Sequence, residues 1–138
     1  MAAAPSTTTM NDVPSPEAVV REFWRRMATN DFFAVTQLLA DDLVVEWPQS
    51  GERFRGATTF ARVNAAYPTN GRWRFSLNQL VASGDQVVTQ VSLTDGHQPA
   101  EPISFFTVRD GRIVHLREYW PEPFAPAAWR HALADPVG

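Results

Sequence analysis

At Trp73 the spacing of apolar residues changes from a helical to a strand period, and few architectures accept a chain divided in this way. Before it, Val20, Phe23, Trp24 and Met27 recur at i, i+3, i+4 and i+7, the spacing of one buried helix face. Ser15 stands where an N-cap is needed, Pro16 suits the first helical position, and Glu17 complements the dipole there. Thr29-Asn30-Asp31 breaks that helix, and Asp31 caps a second one that presents Phe32, Val35, Leu38 and Leu39 and ends near residues 40–42. Residues 43–47 read as a short strand closed by Pro48, and residues 49–56 as a polar loop. A third helix over 58–67 buries Phe60, Val63 and Tyr67 and stops at Pro68, because a residue before proline avoids the α region.

From Trp73 onward Trp73, Phe75, Leu77 and Val81 alternate with Arg74, Ser76 and Asn78. After Ser83-Gly84-Asp85, the residues Val87, Thr89, Val91 and Leu93 alternate with Val88, Gln90, Ser92 and Thr94. A loop over 95–102 leads to a strand at 103–108, a turn, and a last strand that ends in R-E-Y-W at 117–120. Three helices and a short strand followed by an antiparallel meander make an α+β domain, with the helices packed on one face of a curved sheet. The expected organisation is a disordered tail at 1–14, one domain at 15–121, and a C-terminal tail at 122–138 with a short helix near 127–133. Met10 is an alternative start.

Composition closes off several classes of function. The formal net charge is -3 and no long basic run exists, so no nucleic-acid partner is expected. Absence of cysteine removes disulfides, thiolate nucleophiles and cysteine-ligated metals. No apolar run is long enough to span a bilayer, and the N-terminus lacks the form of a secretory signal, so no membrane partner and a cytoplasmic location are expected. Five Trp and nine Phe in 138 residues suggest an aromatic-lined cavity, or else a core densely packed with rings.

Register decides which side chains could face such a cavity, because a one-residue slip turns a strand over. A two-residue loop at Asp110-Gly111 sets Ser104 across from Arg117 and mixes polar with apolar residues on one face. A three-residue loop with a glycine bulge places Ser104, Phe106 and Val108 with Val114, Leu116, Glu118 and Trp120, and leaves Ile103, Phe105, Thr107, Ile113, His115, Arg117 and Tyr119 on the other face. The second segregates better. The same logic groups Trp73, Phe75, Leu77, Val87, Val91 and Leu93. These apolar faces form the concave, helix-covered side. Glu118 is then the only ionisable strand residue after Trp73 on that side, and a buried carboxyl either shifts its pKa upward or finds a donor, for which Ser104 is placed.

The segments T-N-D-F-F-A-V-T-Q-L-L-A-D-D-L-V-V-E-W-P at 29–48, R-G at 55–56, G-D-Q-V-V at 84–88, R-D-G-R-I at 109–113 and R-E-Y-W at 117–120 resemble the nuclear transport factor 2-like superfamily, in its SnoaL-like branch. The resemblance spans residues 19–120 and implies a cone-shaped α+β fold shared by ketosteroid isomerases and SnoaL-type polyketide cyclases. It is specific for fold and permissive for function. The isomerase tyrosine position falls on Phe23, its base on Trp47 and its second acid on or beside Ser104, so isomerisation by those three groups is not expected. SnoaL-type cyclases carry an acid/base aspartate seven residues after the turn glycine, and that count from Gly111 reaches Glu118; their supporting histidine falls near Ser104 and is absent.

Glu118 is thus the candidate catalytic residue, as an acid/base for proton transfer beside a carbonyl; the alternative is a structural carboxylate paired with an arginine or a ring N–H. Phe23, Trp47, Tyr67, Trp73, Ser104, Phe106 and Trp120 are the candidate substrate-binding residues, suited to a small apolar molecule such as a polyketide or steroid; the alternative is core packing. His97, His115 and His131 lack ligand spacing, so no metal is expected, and no cofactor. Asp95-Gly96-His97 reads as a turn signal. The convex face, with Ile103, Phe105, His115, Arg117 and Tyr119, suits a homodimer, and a noncatalytic binding domain of the same fold is the alternative function.

Overall fold

The computed structural model describes residues 13–137. The tail expected to be disordered lies, as far as residue 12, outside the described residues, as does the alternative start at Met10. Helix α1 spans Pro16–Met27 and is followed by a 3-10 helix, Phe32–Leu38. Strand β1 is Leu39–Trp47, β2 is Glu52–Arg55, and helix α2 is Ala57–Ala66. The remaining strands are β3 Arg74–Ser83, β4 Gln86–Thr94, β5 Pro99–Ala100, β6 Ile103–Arg109 and β7 Arg112–Tyr119. The seven strands make one curved, unclosed sheet in the order β2-β1-β7-β6-β4-β3, with β5 paired to β4. Every neighbouring pair is antiparallel except β1 and β7, which are parallel.

Helix α1 begins as its sequence requires. Ser15 accepts a hydrogen bond from the Ala18 N–H at 3.1 Å, and Pro16 opens the first turn. Its buried stripe is Val19, Val20, Phe23, Trp24 and Met27, each worth about 1.5–3 kcal/mol on burial. That stripe lies on the sheet's concave side, where Phe23 meets Phe106 edge-on at 5.1 Å between ring centroids. The Trp24 indole N–H donates to the buried Thr89 hydroxyl at 3.1 Å, so the polar edge of the ring is also satisfied.

Several boundaries differ from the sequence reading. The second helix is of the 3-10 type and stops at Leu38, and the strand begins at Leu39 rather than Leu43. Leu39 and Leu43 are both fully buried, but the pairing with β7 jumps from Leu39–Ile113 to Val44–His115. The polar Ala40-Asp41-Asp42 segment bulges between those two anchors, which is why it resembled a helix end. The expected loop at 49–56 contains β2, a return strand whose Phe54 packs edge-on against Trp47 at 4.8 Å while Arg53 bonds Glu46 on the opposite face. Tyr67 falls just past the end of α2 and is exposed, not buried, because the chain turns extended before Pro68.

The decisive register stands, by a different device. Ser104 pairs with Glu118 and Phe106 with Leu116, as the better-segregated alignment requires. The turn itself has two residues, Asp110 and Gly111 at φ 51° and 76°, the left-handed pair that a tight hairpin needs. The extra residue is Val114, since Thr107 pairs with His115 but Val108 pairs with Ile113. Ile113 therefore turns inward and is fully buried, and Val114 is displaced from the face assigned to it. A second bulge at Asn78 brings Leu80 opposite the buried Thr89 and turns Val81 out to solvent. Residues 122–137 carry the 3-10 helix Ala128–Leu133 near the expected helix; Phe124, Trp129 and Leu133 stay exposed there.

Candidate functional site

Between α1, α2 and the concave sheet face lies a recess that opens to solvent. Strand alternation sets Glu118 on its wall, and the end of β7 adds Trp120. From the end of β1 comes Trp47, whose ring meets Trp120 edge-on at 5.7 Å. Phe23 enters from α1, Tyr67 from the end of α2, and Trp73 from the start of the meander.

Glu118 is only 6% exposed, and both of its oxygens have partners. The Trp47 Nε1–H donates to Oε1 at 3.2 Å, and the Ser104 hydroxyl donates to Oε2 at 2.8 Å. Burial dominates and pushes the carboxyl above the ordinary glutamate range; the bonds from Ser104 and then Trp47 oppose that shift without cancelling it. Among the described residues no arginine, lysine or histidine stands on the recess wall, so none of them gives Glu118 a countercharge there. An anionic ligand would also find no countercharge.

Six of the eight sequence-selected site residues line the recess: Glu118, Phe23, Trp47, Tyr67, Trp73 and Trp120. Two do not. Phe106 is fully buried one layer behind, covered by Phe23 and by Trp24, whose ring lies 6.2 Å away. Ser104 is fully buried too, and touches the site only through its bond to Glu118. Two polar wall residues escaped the sequence reading, Asn64 and Gln98. Asn64 sits one turn after Phe60 on α2, so helical spacing from Phe60 could have found it. For Gln98, in the loop before β5, no periodic signal exists.

Gln98 is held by an unexpected device. The Asp95 carboxylate accepts hydrogen bonds from the backbone N–H groups of His97 and Gln98, both at 2.9 Å, and of Asn70 at 3.0 Å. The Gln98 side-chain amide and the Thr69 hydroxyl add two more, at 3.2 and 3.3 Å. What read as a plain turn thus ties the 69–71 loop to the 95–98 loop beside the recess. These donors, first those of Asn70 and Gln98, hold the Asp95 carboxyl well below the usual carboxylate range. A depressed acid contributes stability above its unfolded pKa of about 3.9, and loses it as pH falls through the folded value. Asp95→Asn is expected to lower the melting temperature at pH 7 and to flatten the acid limb below about pH 4; equal acid limbs in the two proteins, compared by circular dichroism melts, would contradict this role.

On the convex face His115 Nε2 lies 2.7 Å from a Glu46 oxygen, and Arg53 bonds the other oxygen at 3.0 Å. Arg53 first and His115 second hold the Glu46 carboxyl below its ordinary value. Among the described residues no group of three or more His, Asp or Glu side chains is arranged to hold a metal ion, and no helix is long and apolar enough to cross a membrane.

The sequence pattern of the SnoaL-like domain family matches residues 20–116. Among solved structures, the chain is similar to a provisionally assigned ketosteroid isomerase from Kribbella flavida, with a TM-score of 0.82 at 29% identity over 89% of this chain and 90% of that one. An NTF-2 like protein of unknown function from Burkholderia xenovorans gives a TM-score of 0.74 at 26% identity over 89% and 95%. An LEH-like epoxide hydrolase from M. tuberculosis gives 0.62 at 27% identity over 75% and 80%. No curated protein matches the chain in sequence.

Proposed function

The chain belongs to the SnoaL-like domain family, and we propose that it is a cofactor-free enzyme that moves a proton at the carbon next to a carbonyl, in a neutral, flat, apolar molecule of polyketide or steroid type. One observation carries this reading: among the described residues the single ionisable carboxyl on the wall of an aromatic recess is buried and pushed above its ordinary pKa, which suits a group that takes part in proton transfer. The rings of Trp47, Trp73 and Trp120 supply flat surfaces for a flat substrate. The similar structure from Kribbella flavida carries the provisional name of a ketosteroid isomerase. The three groups that the resemblance to ketosteroid isomerases implies would fall at Phe23, at Trp47 and on or beside Ser104, so Glu118 would act without them.

A second reading, a noncatalytic ligand-binding domain, draws on one observation. Both Glu118 oxygens already accept hydrogen bonds, and among the described residues no second acid or histidine stands on the wall beside it. The two readings separate on 2-tetralone, a flat ketone with acidic α-protons. In D₂O the wild-type protein is expected to accelerate deuteration at the α-carbon, followed by proton NMR. Binding without acceleration would favour the noncatalytic domain.

A further inference from the structure

Glu118 lies on the middle one of three neighbouring strands, and the two flanking strands give it unlike partners. On β6, Ser104 stands directly opposite Glu118 in the antiparallel pairing. On β1, the pairing with β7 runs to Glu46–Arg117, and Trp47 and Glu118 are the next residues on the two parallel strands. The Trp47 Nε1–H donates to Oε1, and the Ser104 hydroxyl donates to Oε2. These two bonds differ in what they permit. An indole N–H can only donate, whereas a hydroxyl donates or accepts by rotating its hydrogen. The Trp47 ring packs edge-on against both Phe54 and Trp120, at 4.8 and 5.7 Å, which fixes the direction of its N–H. Ser104 is fully buried on the strand behind, with only its hydroxyl hydrogen left to turn.

A carboxyl that takes up a proton keeps one acceptor oxygen and turns the other into a donor. A proton on Oε1 would face the indole hydrogen and break that bond. On Oε2 it meets the Ser104 oxygen, which can accept it. We propose that Ser104 is a positioning residue whose hydroxyl turns from donor to acceptor when Glu118 takes up a proton, and that Trp47 positions the same carboxyl by confining that proton to Oε2. This deepens the function proposed above and rests on it, because an acid/base has to be held in one place in both of its protonation states. The hydrogen bonds to Glu118 then lock it into neither state, since each state keeps both partners. Among the described residues no other charged side chain stands on the recess wall, and Tyr67 is the only other titratable group there.

Two titrations of the whole chain test the proposal. In Ser104→Ala, the ¹³C midpoint of the Glu118 carboxyl is expected to lie above that of wild type. The ionised form loses a charge-assisted hydrogen bond, and the neutral form loses only a weaker one. An unchanged or lower midpoint overturns the proposal. The second titration needs no variant to fold and follows the Trp47 indole N–H of ¹⁵N-labelled wild type. Its proton signal is expected to move upfield as Glu118 is protonated, with the midpoint of the carboxyl carbon, because its acceptor changes from a carboxylate to a neutral carbonyl. Below that midpoint it should stay downfield of the signal of Trp129, whose side chain is exposed. A Trp47 signal that reaches the position of Trp129 has lost Oε1, and overturns the proposal. Either overturning result leaves the proposed function standing, since deuterium exchange into 2-tetralone measures that separately. Both titrations as expected with no exchange would overturn the proposed function and the positioning role with it, leaving only the reversal of the hydrogen bond.

Discussion

Glu118→Gln is expected to slow α-proton exchange on 2-tetralone about 10²- to 10⁴-fold while leaving the protein at least as stable as wild type. The rate loss is the usual contribution of a positioned acid or base. The stability result follows from linkage. Burial raises the folded pKa of Glu118, so near pH 4.5 the unfolded chain gives up a proton that the native protein keeps. The stability that protonated Glu118 contributes is complete below the unfolded pKa, and is lost as pH rises through the folded value. Glutamine has the same shape and nothing to ionise. Its oxygen can still accept from Trp47, and its amide can donate to the Ser104 hydroxyl, which then acts as acceptor. The variant and wild type should therefore melt together at pH 4, with the variant increasingly the more stable toward pH 8. A carboxyl that lowers stability where it ionises, and for which glutamine is a close substitute, is better explained by chemistry than by folding.

Phe106→Ala is expected to have the opposite profile, a loss of about 3–5 kcal/mol of folding free energy with no change in the Glu118 titration. Phe106 is fully buried, pairs with Val87 and Leu116 on the neighbouring strands, and carries the rings of Phe23 and Trp24 on its inner side. Its removal opens a cavity where α1 meets the sheet. A loss of that size is a large share of the about 5–15 kcal/mol that holds a typical domain together. Urea denaturation should show a lower midpoint with an unchanged slope. Phe124→Ala serves as contrast, because that ring is 83% exposed and its loss should stay within about 0.5 kcal/mol.

These residues show what can be read from a sequence and what cannot. Strand alternation was enough to bring Ser104, Phe106 and Glu118 to the buried face, because only one register separates apolar from polar side chains. Helical spacing likewise found Phe23 and Trp24. Alternation says which face a residue occupies and not how deep it lies, so Phe106 was assigned to the recess wall when it stands behind it. Bulges at Val114 and Asn78 broke the count locally, and each swapped neighbours, Ile113 for Val114 and Leu80 for Val81. Neither has a glycine to mark it. The partners of Asp95 come from two loops, and Gln98 reaches the recess because those loops are tied together. Such contacts depend on tertiary packing, which periodicity does not encode.

The central claim is that the recess wall carries a carboxyl that keeps its proton after ordinary glutamates have released theirs. A ¹³C NMR titration of the glutamate side-chain carboxyls, with Glu118 assigned by its absence from Glu118→Gln, measures this directly. The account predicts a midpoint above the ordinary glutamate value of about 4.3, and a midpoint at or below that value would contradict it.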